Sequence, residues 1–370
     1  MAFSSLPSLL LAQSKWLTTA QAALDSLQYE QAILLIEEAT TATLATDDFI
    51  QAYSIKGDAL RELGEYDQAV ASYTASKNKA IQTFGKIHKE VAQANNDLGL
   101  CYWRKGELAT AEKFFSEALS TRIQLLGEQH SKVADSYNNL GNCAFDRRDL
   151  NTARNYYEQA LQIREQVLED NHPDIASSYN NLGSCYRYAG RFEEAIEYFT
   201  RSLNIRKTKL GAQHPKVAQS SNNLGQCYEQ MDALAQAINF FSQSIQIYEA
   251  NEMQTHPDMA TSYLGLGASY SKFGNHQSAL EQFELALKIQ ENTFGSESAN
   301  LISVYNNLAN AHKSLGDYSQ AMSFYEKNIH LLSNTLGRQH PFTAATYNNI
   351  GLIQVEQLSL IHISEPTRPY

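Results

Sequence analysis

The sequence predicts an all-α solenoid of antiparallel helix pairs, and two observations support that prediction. The segment Tyr-Asn-Asn-Leu-Gly at residues 137–141 recurs at 179–183 and, with Ser in place of Tyr, at 221–225, so the step is 42 residues. Alanine stands twelve residues after the small residue that ends each copy, and an aromatic residue follows four further on. A period of this length indicates stacked units that bury a continuous core together.

The alanine and aromatic positions recur along most of the chain. The alanines are Ala69, Ala111, Ala153, Ala195, Ala237, Ala279 and Ala321, and the aromatics are Tyr73, Phe115, Tyr157, Phe199, Phe241, Phe283 and Tyr325. Further copies of the small residue are Gly57, Gly99, Gly267, Ala309 and Gly351. Apolar residues near these positions follow a helical spacing, as in residues 195–205, so each unit is predicted to contain two helices.

Each unit is predicted to fold as a helix, a tight turn and a second helix. The turn often carries glycine, as at Gly64, Gly106 and Gly190, and we expect such a glycine to end the first helix in a left-handed cap. The small residue and the alanine allow the two helices to approach closely, and the aromatic side chain fills the space between them.

Two further residue types recur in the same register, and both are interpreted as structural. The histidines are His88, His130, His172, His214, His256 and His340, and the cysteines are Cys101, Cys143, Cys185 and Cys227. Equivalent atoms in stacked repeats are separated by about 10 Å, which is too far for a disulfide or a shared metal ion. We therefore expect the histidines to cap the following helix and the cysteines to fill small apolar positions, with no metal and no cofactor.

The repeat pattern resembles the tetratricopeptide (TPR) signature of a small residue, then alanine, then an aromatic. Residues 210–225, Leu-Gly-Ala-Gln-His-Pro-Lys-Val-Ala-Gln-Ser-Ser-Asn-Asn-Leu-Gly, resemble the repeats of kinesin light chain and related 42-residue arrays. The resemblance implies a right-handed superhelix whose first helices line a concave groove. It also implies protein or peptide ligands, with kinesin heavy chain or cargo as the partners of that family. No coiled-coil heptads precede Trp16, which is a departure from the family.

The asparagines before the Leu-Gly pair are the first group of candidate binding residues. In the TPR pattern the asparagine directly before Leu faces the groove, and these residues are Asn139, Asn181, Asn223, Asn307 and Asn349, with Asp97 and Gly265 as departures. An amide both donates and accepts, so a series of amides can hold an extended peptide backbone. A hydrogen bond between neighbouring helices inside the solenoid is the alternative interpretation.

The second group of candidates lies one and two turns further along the same face. Basic, aromatic and amide groups there are suited to acidic or aromatic side chains of a peptide. This group comprises Trp103, Arg104, Asn142, Arg187, Tyr188, Gln226, Lys272 and Lys313.

Composition excludes several classes of function. The formal net charge of −11 argues against nucleic acid or an anionic membrane as a partner. No apolar run reaches the length of a membrane span, and the N-terminus lacks the basic region of a signal peptide, so we expect a cytoplasmic protein. Phosphate-binding, zinc-protease and nucleophile-elbow motifs are absent from the sequence, which predicts a non-catalytic protein.

We expect three segments along the chain. Residues 1–14 form a lead-in, and residues 15–357 form the array, with eight helix pairs and the first helix of a ninth. Residues 358–370 depart from the repeat and match a translated sequencing adapter, so we expect them to be foreign. The helix at 343–357 would then keep an uncovered apolar face, for which self-association or fraying is expected.

The leading functional hypothesis is a non-catalytic scaffold or adaptor that binds extended peptide segments in the groove, as the light-chain resemblance implies. One alternative is a regulatory array of a larger signalling or enzymatic protein. A purely structural spacer is another.

Overall fold

The computed structural model describes the backbone of residues 6–40 and 44–364, and side chains of residues 16–40 and 44–357. These residues form seventeen helices and no strand. The helices are α1 (Leu6–Asp25), α2 (Tyr29–Thr40), α3 (Thr46–Glu62), α4 (Tyr66–Phe84), α5 (Lys89–Arg104), α6 (Leu108–Leu126), α7 (Ser131–Asp146), α8 (Leu150–Val167), α9 (Pro173–Tyr188), α10 (Phe192–Leu210), α11 (Pro215–Gln230), α12 (Leu234–Ala250), α13 (Pro257–Lys272), α14 (His276–Phe294), α15 (Leu301–Ser314), α16 (Tyr318–Thr335) and α17 (Pro341–Ser364).

The helices divide between two compact units, Met1–Cys185 and Tyr186–Tyr370, and the sequence boundary between the units falls within α9. Inside each unit a helix packs on the next one along the chain, as α5 does on α6 and α11 on α12. First helices of neighbouring pairs also touch, as α5 and α7 do in the first unit and α11 and α13 in the second. Both units are therefore built as solenoids of paired helices, which confirms the predicted all-α repeat fold.

The recurring histidines cap the first helix of each pair. The Nδ1 atoms of His130, His214 and His340 accept the backbone N–H two residues further on, at 3.1 to 3.2 Å. His88, His172 and His256 make the same bond at 3.2 to 3.4 Å. Before α15 the histidine is replaced by Ser298, whose Oγ accepts from the Asn300 amide at 3.3 Å. The capping prediction is confirmed, and it accounts for the histidine pattern without a metal.

The first helices end in left-handed residues, as the glycine pattern predicts. Gly106 has φ +78°, and the Glu107 amide donates back to the Tyr102 carbonyl at 2.9 Å. Where the repeat lacks glycine, Arg148 and Asp232 adopt the same conformation at φ +64° and +54°. The turn is therefore set by the packing of the two helices, since non-glycine residues accept the strain there.

The core of each pair is an aromatic ring of the second helix pressed against the small residue of the first. A Cβ atom built on Gly141 would lie 2.5 Å from the Tyr157 ring, and one on Gly225 would lie 2.8 Å from the Phe241 ring. These rings are buried, as are the cysteines, which are all free. Burial of each ring contributes about 1.5 to 3 kcal/mol, so the contact is a main source of stability within a pair.

Helix α17 packs on α16 and runs to Ser364, into the segment that resembles an adapter translation. Residues 365–370 of that segment lie outside the described residues. On α17 the side chains of Phe342, Tyr347, Leu352 and Val355 are exposed, whereas Ile353 is buried. Among the described residues, none of the helices is both long enough and apolar enough to cross a bilayer.

The contact between the small residue and the ring gives the first prediction. Gly225→Leu should destabilise the second unit by about 1 to 3 kcal/mol, because the new side chain overlaps the Phe241 ring. Gly351→Leu is the matched control, since nothing lies within 4 Å of a Cβ at that position. Urea denaturation followed by circular dichroism measures both. Equal losses at the two sites would contradict this account of the core.

Candidate functional site

The asparagines of the first unit form hydrogen bonds between neighbouring repeats. The Asn139 Nδ2 atom donates to Asn96 Oδ1 at 3.0 Å, and Asn181 Nδ2 donates to Asn138 Oδ1 at 2.9 Å. Each bond joins the asparagine before Leu to the asparagine one position earlier in the preceding repeat. The bonds use the amide nitrogens, so these side chains hold adjacent first helices in register. Contact with a ligand through Asn139 or Asn181 stays a prediction.

In the second unit the asparagine pattern continues with different partners. Asn222 is buried, and its Oδ1 accepts from the Ser262 hydroxyl at 3.2 Å. Gly265, which departs from the pattern, lies against the Phe241 ring, where a side chain would collide. Asn307 on α15 and Asn349 on α17 are partly buried. Their role as ligand contacts also stays a prediction.

Asn142 has a role inside its own repeat. Its Oδ1 accepts from the Tyr157 hydroxyl at 2.8 Å, and Asn310 accepts from Tyr325 in the same way at 2.5 Å. In the repeats where the ring is Phe115 or Phe241, the residue after the small position is Leu100 or Gln226. A hydrogen-bond acceptor directly after the small residue, together with a tyrosine at the aromatic position, is a sequence signal for this bond. It was overlooked when Asn142 was predicted to bind a ligand.

Arg187, Tyr188, Asn223 and Gln226, all predicted binding residues, line one pocket of about 550 Å³ in the second unit. Phe192, Glu229 and Gln230 complete its walls. The Arg187 guanidinium carbon lies 4.4 Å from the centroid of the Tyr188 ring, in a cation–π arrangement. The buried Arg187 Nε has no hydrogen-bond partner. The pocket therefore combines an aromatic face, amide groups and an arginine side chain.

Lys272 lies beside this pocket and pairs with Glu229, which lines it. Its Nζ lies 2.6 Å from Glu229 Oε1 and 3.4 Å from Asp232 Oδ1, so its charge is balanced by the protein. These hydrogen bonds raise the pKa of Lys272, with Glu229 as the largest cause. Lys272 thereby balances the charge of Glu229, which leaves Arg187 as the main charge that can meet an acidic ligand.

The remaining predicted residues lie at separate places. The Arg104 guanidinium carbon lies 5.0 Å from the Trp103 ring centroid, and Trp103 Nε1 donates to Asp146 at 2.6 Å. In the second unit, the Lys313 Nζ atom is 3.9 Å from Glu356. The structure thus brings Arg187, Tyr188, Asn223 and Gln226 together in one pocket, with Lys272 beside it. Lys313 and Arg104 do not line this pocket.

The recurring cysteines are buried thiols with raised pKa values. Burial raises the pKa of Cys101 to about 11 and that of Cys143, Cys185 and Cys227 to about 12. No group of histidine, cysteine and carboxylate side chains in the described part of the chain is arranged to hold a metal. The structure accounts for the cysteines as small buried residues of the repeat.

A series of buried arginines joins the repeats, and the sequence reasoning missed it. Arg122, Arg164 and Arg206 stand 42 residues apart on second helices, and each is buried. Each Nη1 donates at 2.8 Å to a serine hydroxyl on the next first helix, from Ser136, Ser178 or Ser220. It also donates to a backbone carbonyl of that helix at 2.9 to 3.1 Å. The 42-residue spacing of these arginines can be read from the sequence. Because arginine side chains are usually exposed, the spacing did not predict their burial.

Asp97, the departure from the asparagine pattern, sits in a buried polar cluster of the first unit. Gln93 and Asn96 donate to its carboxylate, and Arg61 lies 3.9 Å away. Burial, with a smaller contribution from the nearby Asp58, raises the pKa of Asp97 to about 6. The carboxylate is therefore ionised at neutral pH at a cost to the folded state.

Paired helices of this period, stacked through a small residue and an aromatic ring, define a helical repeat protein. A tetratricopeptide repeat family model matches residues 48–124, 90–166, 132–208, 174–250 and 258–329, which is well over half of the chain. The chain belongs to the tetratricopeptide repeat family.

Several solved structures resemble the chain, and curated proteins give no match. The quorum sensor NprR from B. thuringiensis, in its apo form, is 15% identical, with a TM-score of 0.69, over 87% of this chain and 88% of that one. A Rap protein complexed with Competence and Sporulation Factor is 14% identical, with a TM-score of 0.54, over 95% and 99%. A putative kinesin light chain repeat structure from Podosopora anserina is 24% identical, with a TM-score of 0.48, over 56% and 98%. These likenesses concern the fold.

The pair formed by Asn142 and Tyr157 gives the second prediction. Asn142→Leu should cost about 1 to 3 kcal/mol, because the buried tyrosine hydroxyl loses its acceptor. The double variant Asn142→Leu/Tyr157→Phe should recover most of that loss, since Leu100 with Phe115 is the natural version of the pair. Urea denaturation of the four proteins of the cycle measures the coupling. Strictly additive losses would show that the hydrogen bond does not link the two positions.

Asp97 gives the third prediction. Since its pKa rises from an ordinary 3.8 to about 6 on folding, the unfolded chain loses this proton first as pH rises. The folded state is thus favoured most below about pH 4, and it loses stability up to about pH 6. Asp97→Asn, which restores the residue found at Asn139, should match the wild type at pH 4 and exceed it by about 1 to 3 kcal/mol at pH 7.5.

Thermal unfolding of both proteins across that pH range measures the effect. Asp170→Asn, at an exposed loop position, is the control and should give no such pH-dependent gain. A difference between Asp97→Asn and the wild type that stays constant from pH 4 to pH 7.5 would rule out this role for the carboxylate.

Proposed function

We propose that the protein is a non-catalytic, cytoplasmic scaffold that binds extended segments of other proteins through its first helices. The observation behind this proposal is the convergence of Arg187, Tyr188, Asn223 and Gln226 on one pocket of about 550 Å³. The Rap protein, which shares the fold, was solved with Competence and Sporulation Factor bound, so arrays of this type accommodate ligands. The resemblance to kinesin light chain extends the proposal to cargo segments or kinesin heavy chain as partners.

The chemistry of the pocket favours a peptide with an acidic side chain next to an aromatic or aliphatic one. The acidic group would pair with Arg187, whose side chain lines the pocket beside Tyr188. The Gln226 and Asn223 amides would bond the peptide backbone, and Phe192 and Tyr188 would take the apolar side chain. Glu229 is paired with Lys272, so it repels an acidic ligand less than a free carboxylate would.

Selection of peptides from a random displayed library against the full chain tests this function. We expect enriched peptides to carry Asp or Glu beside an apolar residue. Arg187→Gln should weaken the selected peptides about tenfold to a hundredfold, because a charged hydrogen bond is lost. Arg201→Gln, on exposed α10 surface in the same unit, is the matched control and should bind as the wild type does.

Asn223→Ala is the informative asparagine variant. The amides of Asn139 and Asn181 hold neighbouring repeats together, so replacing them would mix stacking with binding. Peptides that bind Arg187→Gln and Asn223→Ala as tightly as the wild type would contradict the assignment of this pocket. The absence of any enriched peptide would contradict the scaffold function itself.

A further inference from the structure

One face of α17, in the second unit, is uncovered where the equivalent face of α15 is covered. Tyr305 on α15 is 4% exposed, and its ring centroid lies 6.0 Å from that of Phe324 on α16. Tyr347 stands 42 residues after Tyr305, at the equivalent position of α17, and is 52% exposed. The α17 ring therefore lacks the packing that a second helix gives to the α15 ring.

The glycine of α17 gives the same indication. A Cβ atom built on Gly267 would lie 2.5 Å from the Phe283 ring, whereas nothing lies within 4 Å of a Cβ built on Gly351. Gly267 and Gly351 stand in the same register of the 42-residue repeat. The place that an aromatic ring fills against α13 is therefore open against α17.

The uncovered residues of α17 form a continuous stripe. Ala344, Tyr347, Gly351 and Val355 follow the i, i+3, i+7, i+11 spacing, which places them on one face of a helix. We call these four residues the outer stripe, and Val355 within it is 64% exposed. The opposite face of α17 packs on α16. The stripe ends before Leu358, so it does not depend on the segment that resembles an adapter translation.

The outer stripe is complementary to itself. It carries both a ring and a glycine, and the two lie about 6 Å apart along the helix. In an antiparallel pair of α17 helices centred between residues 349 and 350, Tyr347 of each copy would face Gly351 and Leu352 of the other. Ala344 would face Val355 in the same pair. An aromatic ring against a glycine of a paired helix is also the contact inside several repeats of this chain.

The charges around the outer stripe favour the antiparallel arrangement. No Asp, Glu, Lys or Arg stands between Arg338 and Glu356. Arg338 is exposed just before α17 begins, and Glu356 lies towards the other end of the stripe. An antiparallel pair brings Glu356 of one copy towards Arg338 of the other and towards the positive end of its helix dipole. A parallel pair would bring like charges together instead.

We propose that two copies of this chain associate through α17 with two-fold symmetry, so that Tyr347 of each copy fills the open place beside Gly351 of the other. A two-fold contact uses the same surface on both copies, which the outer stripe allows. The pocket that contains Arg187 has no lining residue on α17. The association is therefore independent of the peptide binding proposed above.

Sedimentation equilibrium of the full chain tests the association. We expect a monomer–dimer equilibrium with a Kd of about 1 to 100 µM, because one helix from each copy forms a small interface. A chain that stays monomeric at about 1 mM would overturn the proposal. Assembly beyond the dimer would also contradict it, since a two-fold contact through one face closes with two copies.

Two variants place the contact on α17. Gly351→Leu fills the open place, and Tyr347→Glu adds a charge to the stripe, so each should weaken the dimer by about tenfold or more. Phe273→Glu is the matched control, because Phe273 is an exposed aromatic residue of the same unit, and the dimer should be unchanged. Wild-type association in both α17 variants, or an equal loss in the control, would show that the contact lies elsewhere.

Urea denaturation separates loss of the contact from loss of the fold. At concentrations where the chain is monomeric, Gly351→Leu should unfold at the same urea concentration as the wild type, because the new side chain meets no neighbour within its own chain. A marked loss of stability in that monomer would contradict the open place beside Gly351.

Disulfide cross-linking tests the direction of the paired helices. Ala344→Cys and Val355→Cys place thiols at the two ends of the outer stripe, and the four native cysteines are buried. In a mixture of the two variants, we expect cross-links between the Ala344→Cys and Val355→Cys chains in preference to cross-links within either variant. Preferential cross-linking of each variant with itself would rule out the antiparallel arrangement.

Discussion

The contact between a glycine or alanine on the first helix and an aromatic ring on the second is the constraint on which the rest of each repeat depends. The ring takes the space that a larger side chain would occupy, which fixes how closely the two helices approach. With that distance fixed, the residue after the small position faces the far end of the ring. A tyrosine there needs an acceptor, which Asn142 supplies to Tyr157, whereas phenylalanine needs none. The chemistry of one position thus follows from the packing at another.

Polar groups hold the repeats to one another, where apolar contacts alone would allow sliding. Asn139 bonds Asn96 across neighbouring first helices, and Arg122 reaches from a second helix to Ser136 on the next first helix. Each bond has strict geometry and is buried or partly buried, so a shift in register would leave polar groups without partners. These bonds account for the asparagines and arginines that recur at the 42-residue period. The same residue types are also common in binding surfaces.

The sequence predicted the fold well because its signal is repeated. The helix pairs, the left-handed turns, the histidine caps and the inert cysteines all follow from a residue type that recurs at one position. The candidate site was harder to predict. The asparagine series allowed two interpretations, because an amide suits a neighbouring helix as well as a peptide. The convergence of Arg187 and Gln226 on one pocket depends on three-dimensional packing, which the period alone does not give. The burial of Arg122 was missed, since a charge is expected at the surface unless its partners are seen.

Repetition also explains where special chemistry arises. A polar group of one repeat can find its partner in the neighbouring one, as Arg164 finds Asp135. A change of residue type at one copy alters the chemistry of that copy alone. Asp97 in place of asparagine buries a carboxylate whose pKa rises to about 6. Sensitivity to pH is thus expected at a copy that departs from the pattern. The regular copies maintain the framework in which such departures are tolerated.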